Sequence, residues 1–168
     1  MAFKETAITK ENLSPFQLIG DDWFLLSAGT ETGFNSMTCS WGSMGILWAK
    51  PVFTTVVRTS RYTLKFLDEN PFFSICFFDG SHRKDLAYCG AHSGRDVDKL
   101  ANISLTPTFI DGVPAYEEAK RILICRKLFR SEMTEENFVD KSLLDLYKKD
   151  GFHINFTGEI VKNLVFEE

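Results

Sequence analysis

Residues 35–70 read NSMTCSWGSMGILWAKPVFTTVVRTSRYTLKFLDEN. Within this stretch apolar and polar residues first alternate and then give way to a β-branched run and a helix-like segment. From Phe34 to Gly42 the side chains of Asn35, Met37, Cys39 and Trp41 alternate with Ser36, Thr38, Ser40 and Gly42, the period of a strand. One face of that strand carries only small or hydroxylated groups. It either lies in solvent or lets a flat ligand approach the backbone. Gly42-Ser43-Met44-Gly45 reads as a flexible turn, and Pro51 opens the run Val52–Val57, whose β-branched content predicts a central strand ending at Arg58. Arg61–Glu69 is helix-like, with Ser60 as its N-cap and Asn70-Pro71 as its stop.

Charge sets this stretch apart. No acidic residue stands between Glu31 and Asp68, although 23 Asp and Glu in 168 residues would put roughly five there. Lys50, Arg58, Arg61 and Lys65 are therefore unopposed in the sequence, within a chain of net charge -4. A local positive field in an acidic protein suits a bound anion better than nucleic acid, which favours a broad basic surface. A helix N-terminus flanked by Arg58, Arg61 and the hydroxyls of Ser60 and Thr63 has the parts of a phosphate site. An ordinary capped helix with two surface arginines is the other reading.

Outward from this stretch, further strands are expected at Trp23–Gly29, Phe72–Phe78, Thr108–Ile110, Arg121–Arg130 and Phe152–Val161. Helical pattern is expected in two pieces from His82 to Ala101, broken around Cys89-Gly90 and Ser93-Gly94, and again over Lys141–Lys149. At least seven strands follow one another without regular helical crossovers. This favours an antiparallel barrel or sandwich over a doubly wound sheet.

A hydrophobic content of 44% with 16 Phe fits one globular domain over residues 1–168. The N-terminal MAFKETAITKEN has no apolar core and does not resemble a signal peptide, and no run approaches the ~18 apolar residues of a membrane span. A cytoplasmic protein without membrane contact is expected. Cys39, Cys76, Cys89 and Cys125 form no C-x-x-C pair and sit mostly in apolar segments, as buried free thiols do. His82, His92 and His153 lack metal-ligand spacing. There is no G-x-S-x-G elbow, no Walker loop and no G-x-G-x-x-G turn.

Several motifs together carry a resemblance. N-x-M-T-x-S-W-G (Asn35 to Gly42), W-x-K-P (Trp48 to Pro51), R-x-x-R-Y-T (Arg58 to Thr63), S-G-R-D-V-D-K (Ser93 to Lys99), and the closing G-F-H and G-E-I resemble the flavin reductase-like family, most closely its flavoredoxin-like branch. The resemblance implies a mainly β fold, the FMN-binding split β-barrel, antiparallel and of Greek-key type, with a few short helices. It also implies a homodimer with FMN near the subunit interface. Phosphate binding is carried over to Arg58, Ser60, Arg61 and Thr63, with Lys50, Ser93 and Lys99 as further candidates. Asn35, Met37, Thr38, Ser40 and Trp41 would line the ring and ribityl chain, Trp41 and Trp48 being either flavin contacts or core aromatics. Flavin chemistry requires no catalytic acid or base from the protein. The expected function is an FMN-dependent oxidoreductase using NADH or NADPH and a small-molecule or protein redox partner. A flavoredoxin-like electron carrier without nicotinamide turnover is the alternative.

Overall fold

The β-branched and aromatic runs become strands. The fold is described from a computed structural model covering residues 2–167. Among the described residues the strands are β1 (Phe3–Glu5), β2 (Phe24–Thr30), β3 (Gly33–Cys39), β4 (Gly42–Leu47), β5 (Lys50–Arg58), β6 (Phe72–Phe77), β7 (Pro107–Ile110), β8 (Val113–Tyr116), β9 (Arg121–Glu132) and β10 (His153–Phe166). Two helices, α1 (Thr63–Glu69) and α2 (Arg83–Ala91), lie in the connections, with several short 3-10 turns and one π-helical turn, Gln17–Asp21.

Every strand pairing is antiparallel, and neighbours follow the order β3-β2-β6-β9-β10-β5-β4, with β1 on β10 and β7-β8 as a separate ribbon. Seven strands laid flat at about 4.8 Å spacing would hold β3 and β4 roughly 29 Å apart. The chain forbids this, because only Ser40 and Trp41 separate Cys39 from Gly42, and three residue steps reach about 11 Å at most. The sheet is therefore rolled into a barrel. Counting directions along the path, β3 and β4 run the same way, so residues 33–47 leave one edge of the sheet and rejoin it at the other. Round the barrel, β6 returns beside β2 after the run from β2 to β5, which is the Greek-key connection. This is the mainly antiparallel split barrel that the sequence motifs imply.

The barrel interior holds Phe24, Phe53, Phe73, Phe77 and Phe156, all essentially inaccessible to solvent, with Phe24 and Phe53 edge to face at 5.2 Å. Glycine is required at Gly158 in β10, where an added Cβ would meet the Phe73 ring at 2.7 Å and Cys125 Cβ at 2.9 Å. A second apolar cluster, including Leu25, Cys76, Leu86, Tyr116 and Ile122, lies on the outer face of the same strands under α2 and β8. Both faces of β2 and β6 are thus buried, which explains why FLLSA and FFSICF are continuous runs rather than alternating ones. All four cysteines are free and buried, as expected.

Three expectations are corrected. Gly42-Ser43-Met44-Gly45 is not a turn but the first part of β4, paired with Thr55–Val52 of β5. The turn falls at Trp48 and Ala49, with φ of 53° and 55°, the two consecutive left-handed residues a tight hairpin needs but without its Asn-Gly signature. Ser60 does not cap a helix, since α1 begins at Thr63 and no side chain caps it; Arg61 instead belongs to a turn in which its N–H donates to the Arg58 carbonyl at 3.0 Å. Finally, α2 runs through Cys89-Gly90 without a break.

Candidate functional site

Where the bent strand crosses the open edge of the barrel, Met37–Trp41 form one wall of a cavity of about 220 Å³ whose other walls are Val56, Arg58, Arg61 and His153. Register puts His153 of β10 directly across from Arg58 of β5. The His153 imidazole is buried, shares a 2.8 Å hydrogen bond between Nδ1 and the Tyr147 hydroxyl, and lies 5.4 Å from the Trp41 ring. Burial, and then the Arg58 and Arg61 charges, lower its pKa to about 4. It is therefore a neutral polar group at physiological pH. The Arg58 guanidinium also braces the chain itself, donating to the carbonyls of Leu146 (2.9 Å), Gly151 (3.0 Å) and Lys149 (3.2 Å) and lying over the Tyr147 ring at 5.0 Å.

A second cavity of about 250 Å³ adjoins the first and shares Met37 and Arg61 with it. It is lined by Ser60, Tyr62 and Thr63 from the turn before α1, by His92, Ser93, Gly94 and Arg95 from the segment after α2, and by Asn35, Cys89, Lys99 and Asp150. Arg61, Arg95 and Lys99 outnumber that one carboxylate. Arg61 holds only a long contact, 3.4 Å, to the Gly90 carbonyl, which leaves most of its guanidinium donors for a ligand. Buried Lys99 donates to the Ser36 and Cys89 carbonyls at 2.7 and 2.9 Å, and burial lowers its pKa. Asn35 donates from Nδ2 to Thr63 Oγ1 at 2.8 Å. Its Oδ1 sits so close to Gly94 that a Cβ there would lie 2.0 Å away. Side by side the cavities make a groove in the ~300–1,000 Å³ range of small-molecule sites, with arginines in both, rich in hydroxyls at the Ser60, Thr63 and Ser93 end and walled by Trp41 and strand backbone at the other.

Of the residues singled out in the sequence, Asn35, Met37, Ser60, Arg61, Thr63, Ser93 and Lys99 meet in the cationic cavity, and Met37, Thr38, Ser40, Trp41, Arg58 and Arg61 in its neighbour. Lys50 is elsewhere. It stands at the opposite end of β5 from Arg58, roughly 27 Å along the strand, and is paired with Glu159 at 3.1 Å rather than unopposed. The hydroxylated face of β3 is also not open along its length: Ser36 is hydrogen-bonded to Ser27 and Tyr116, and Thr38 donates to the Leu86 carbonyl of α2. Trp48 packs on Phe129 with centroids 6.0 Å apart, outside both cavities. Sequence reading missed His92, Arg95, His153 and Tyr147. The nearness of His92 and Arg95 to Ser93 was an available signal; the other two are assembled by topology.

A rolled antiparallel sheet with a groove where its two edges meet is the architecture of split-barrel proteins. The model of the flavin reductase like domain matches residues 20–167, and the chain belongs to this family. Among solved structures it is similar to flavoredoxin from Methanosarcina acetivorans, with 25% identity, a TM-score of 0.68 and coverage of 87% of this chain and 69% of that one. The FMN-binding protein from Thermus thermophilus with bound p-hydroxybenzaldehyde shares the fold at 22% identity and a TM-score of 0.66, covering 97% of this chain and 81% of that one. So does the NADH:FAD oxidoreductase from Streptomyces globisporus C-1027, at 16% identity and a TM-score of 0.65 over 86% and 75%. A search of curated proteins gives no match. Among the described residues no helix is long and apolar enough to cross a membrane, and no group of His, Cys, Asp and Glu is arranged to hold a metal.

Proposed function

We propose that this chain binds FMN in the groove and is an FMN-dependent oxidoreductase, a NAD(P)H-dependent flavin reductase of the cytoplasm. The observation that supports it is the adjacency of the two cavities, which share Met37 and Arg61 in their walls. A flavin mononucleotide has the matching two parts, an anionic phosphate and a flat ring system. Arg61, Arg95 and Lys99 with the hydroxyls of Ser60, Thr63 and Ser93 would take the phosphate by charge-assisted hydrogen bonds. Asn35 and Met37 lie at the middle of the groove, for the ribityl chain, and Thr38–Trp41 at the ring end. The bound flavin supplies the hydride and electron chemistry. The protein holds and orients it, Trp41 screens the ring end from water, and His153 offers a polar contact without a charge. Four buried free thiols suit the reducing cytoplasm.

A second copy of the chain completes the proposal. Exposed Trp48, at the turn after β4, packs on exposed Phe129 of β9, with exposed Ile46 and Leu47 at the end of β4 beside them in the chain, and we assign the Trp48–Phe129 pair to a homodimer contact. Likeness to a flavoredoxin at 25% identity favours an electron carrier as the second reading. Flavin released by denaturing the purified protein and separated by chromatography tests the main proposal. FMN is expected. FAD alone, or no flavin bound at micromolar concentration, overturns it.

A further inference from the structure

A third cavity, of about 490 Å³, adjoins the groove at Trp41 and is lined by residues of the π-helical turn Gln17–Asp21 and of the start of β4. It shares Ser40 and Trp41 with the ring end of the groove and is otherwise shaped by Phe16, Ile19, Gly20, Ser43 and Met44. None of its lining residues is charged, whereas both cavities of the groove carry arginines. Phe16 is 89% exposed, and the apolar walls offer aromatic faces and a polarisable thioether with two hydroxyls for orientation. A charged molecule entering here would lose its hydration with no counter-charge to replace it. A neutral ring loses little. The turn itself is held fixed, because the Arg83 guanidinium donates to the Asp21 and Asp22 carbonyls at 2.7 and 3.2 Å and stacks over Trp23 at 3.2 Å.

We propose that this cavity is a substrate subsite for a neutral one- or two-ring aromatic molecule, placed against Trp41 and next to the flavin end of the groove. As a subsite of an oxidoreductase it rests on the proposed function; as a ring-binding cavity it stands on its own lining. It is distinct from any site for a nicotinamide dinucleotide, whose pyrophosphate would find no cation here.

Calorimetric titration of the FMN-loaded protein with 2-naphthol and with the anion 2-naphthoate tests it. Naphthol is expected to bind at least tenfold more tightly than naphthoate. Gly20 lines the cavity, and a Cβ there meets nothing within 4 Å, so a bulky side chain can be added without a clash at its Cβ; Gly20→Phe should weaken naphthol at least tenfold while FMN affinity is unchanged. Ser43→Asp, at an exposed position, should do the same by adding a charge. The inference is overturned if naphthol does not bind, if naphthoate binds as tightly or more tightly, or if both variants bind naphthol as the parent does. Should FMN itself fail to bind, the proposed function falls, and the same titrations on the flavin-free parent and variants still decide the cavity.

Discussion

The Tyr147 hydroxyl and His153 Nδ1 are 2.8 Å apart, and this hydrogen bond ties the polar excursion between β9 and β10 to the wall of the groove. His153 is buried and its pKa is lowered from 6.5 to about 4. Between those values the unfolded chain binds more protons than the folded one, so stability is complete above about pH 6.5 and falls as the pH drops toward 4. The contribution at stake is on the order of 2 kcal/mol. Urea unfolding at pH 7 and pH 4.5 should show this loss in the parent, and His153→Gln should show a smaller one. An equal loss in both would assign the acid sensitivity to other groups.

The two arginines of R-x-x-R have different partners, and their variants should separate. Arg61→Ala should weaken FMN by about 1.5–3 kcal/mol, the scale of charge-assisted hydrogen bonds to phosphate, and leave riboflavin nearly unaffected. Arg58 instead holds three carbonyls of residues 146–151. Arg58→Ala should therefore lower stability by about 1–2 kcal/mol and weaken both flavins alike. Fluorescence titration with each flavin, beside thermal unfolding, gives both numbers. Preferential loss of FMN in Arg58→Ala would return it to the phosphate site.

This division shows where sequence reading reached its limit. The strands β5, β6, β9 and β10 were legible because β-branched and aromatic runs of the right length have few alternatives, and the implied family motifs located Ser60, Arg61, Thr63, Ser93 and Lys99, which do come together. The backbone carbonyls that Arg58 holds are 88 to 93 residues away and leave no trace in side-chain pattern. Lys50 looked unopposed for the same reason, its Glu159 partner being brought over by β10. The hairpin turn at Trp48-Ala49 was hidden because both left-handed positions are filled by residues that seldom adopt them, while the glycines that suggested a turn lie in β4.

Gly94 should tolerate no side chain. Its Cβ would lie 2.0 Å from Asn35 Oδ1, and Asn35 is fixed by its bond to Thr63. Gly94→Ala is expected to cost about 1–3 kcal/mol through forced displacement and to weaken FMN by moving Asn35. Gly90 in α2 is the control, since its Cβ would meet only the Thr38 side chain, at 3.5 Å. Gly90→Ala should be neutral or stabilising by up to about 1 kcal/mol, as for glycine within a helix. Similar behaviour of the two variants in denaturant would refute the assigned contact.

The exposed Trp48–Phe129 pair should be the centre of the homodimer contact. Trp48→Asp would bury an unpaired charge there, at a cost of several kcal/mol, and should shift the protein to monomer in light scattering at micromolar concentration. The protein's own fold should survive, because Trp48 is half exposed at a hairpin tip. A parent that is monomeric at high concentration with FMN bound would remove the second copy from the proposal.

Reductase and carrier make opposite demands on the same groove. A reductase must admit a nicotinamide ring beside the proposed flavin end of the groove, the cavity bounded by Trp41, Arg58 and His153, and a carrier needs only an exposed edge for a protein partner. Trp41 is 47% exposed and serves either purpose, so the decision is kinetic. Mixed anaerobically with NADH and then NADPH, the FMN-loaded protein should lose its oxidised flavin absorbance within about 1 s, in keeping with ordinary turnover. Trp41→Ala should slow that bleaching more than it weakens FMN, because the substitution opens the ring end to water and leaves the phosphate cavity intact. If neither nucleotide bleaches the flavin within minutes while a reduced iron–sulfur protein does, electrons enter from a protein and the carrier reading replaces the reductase.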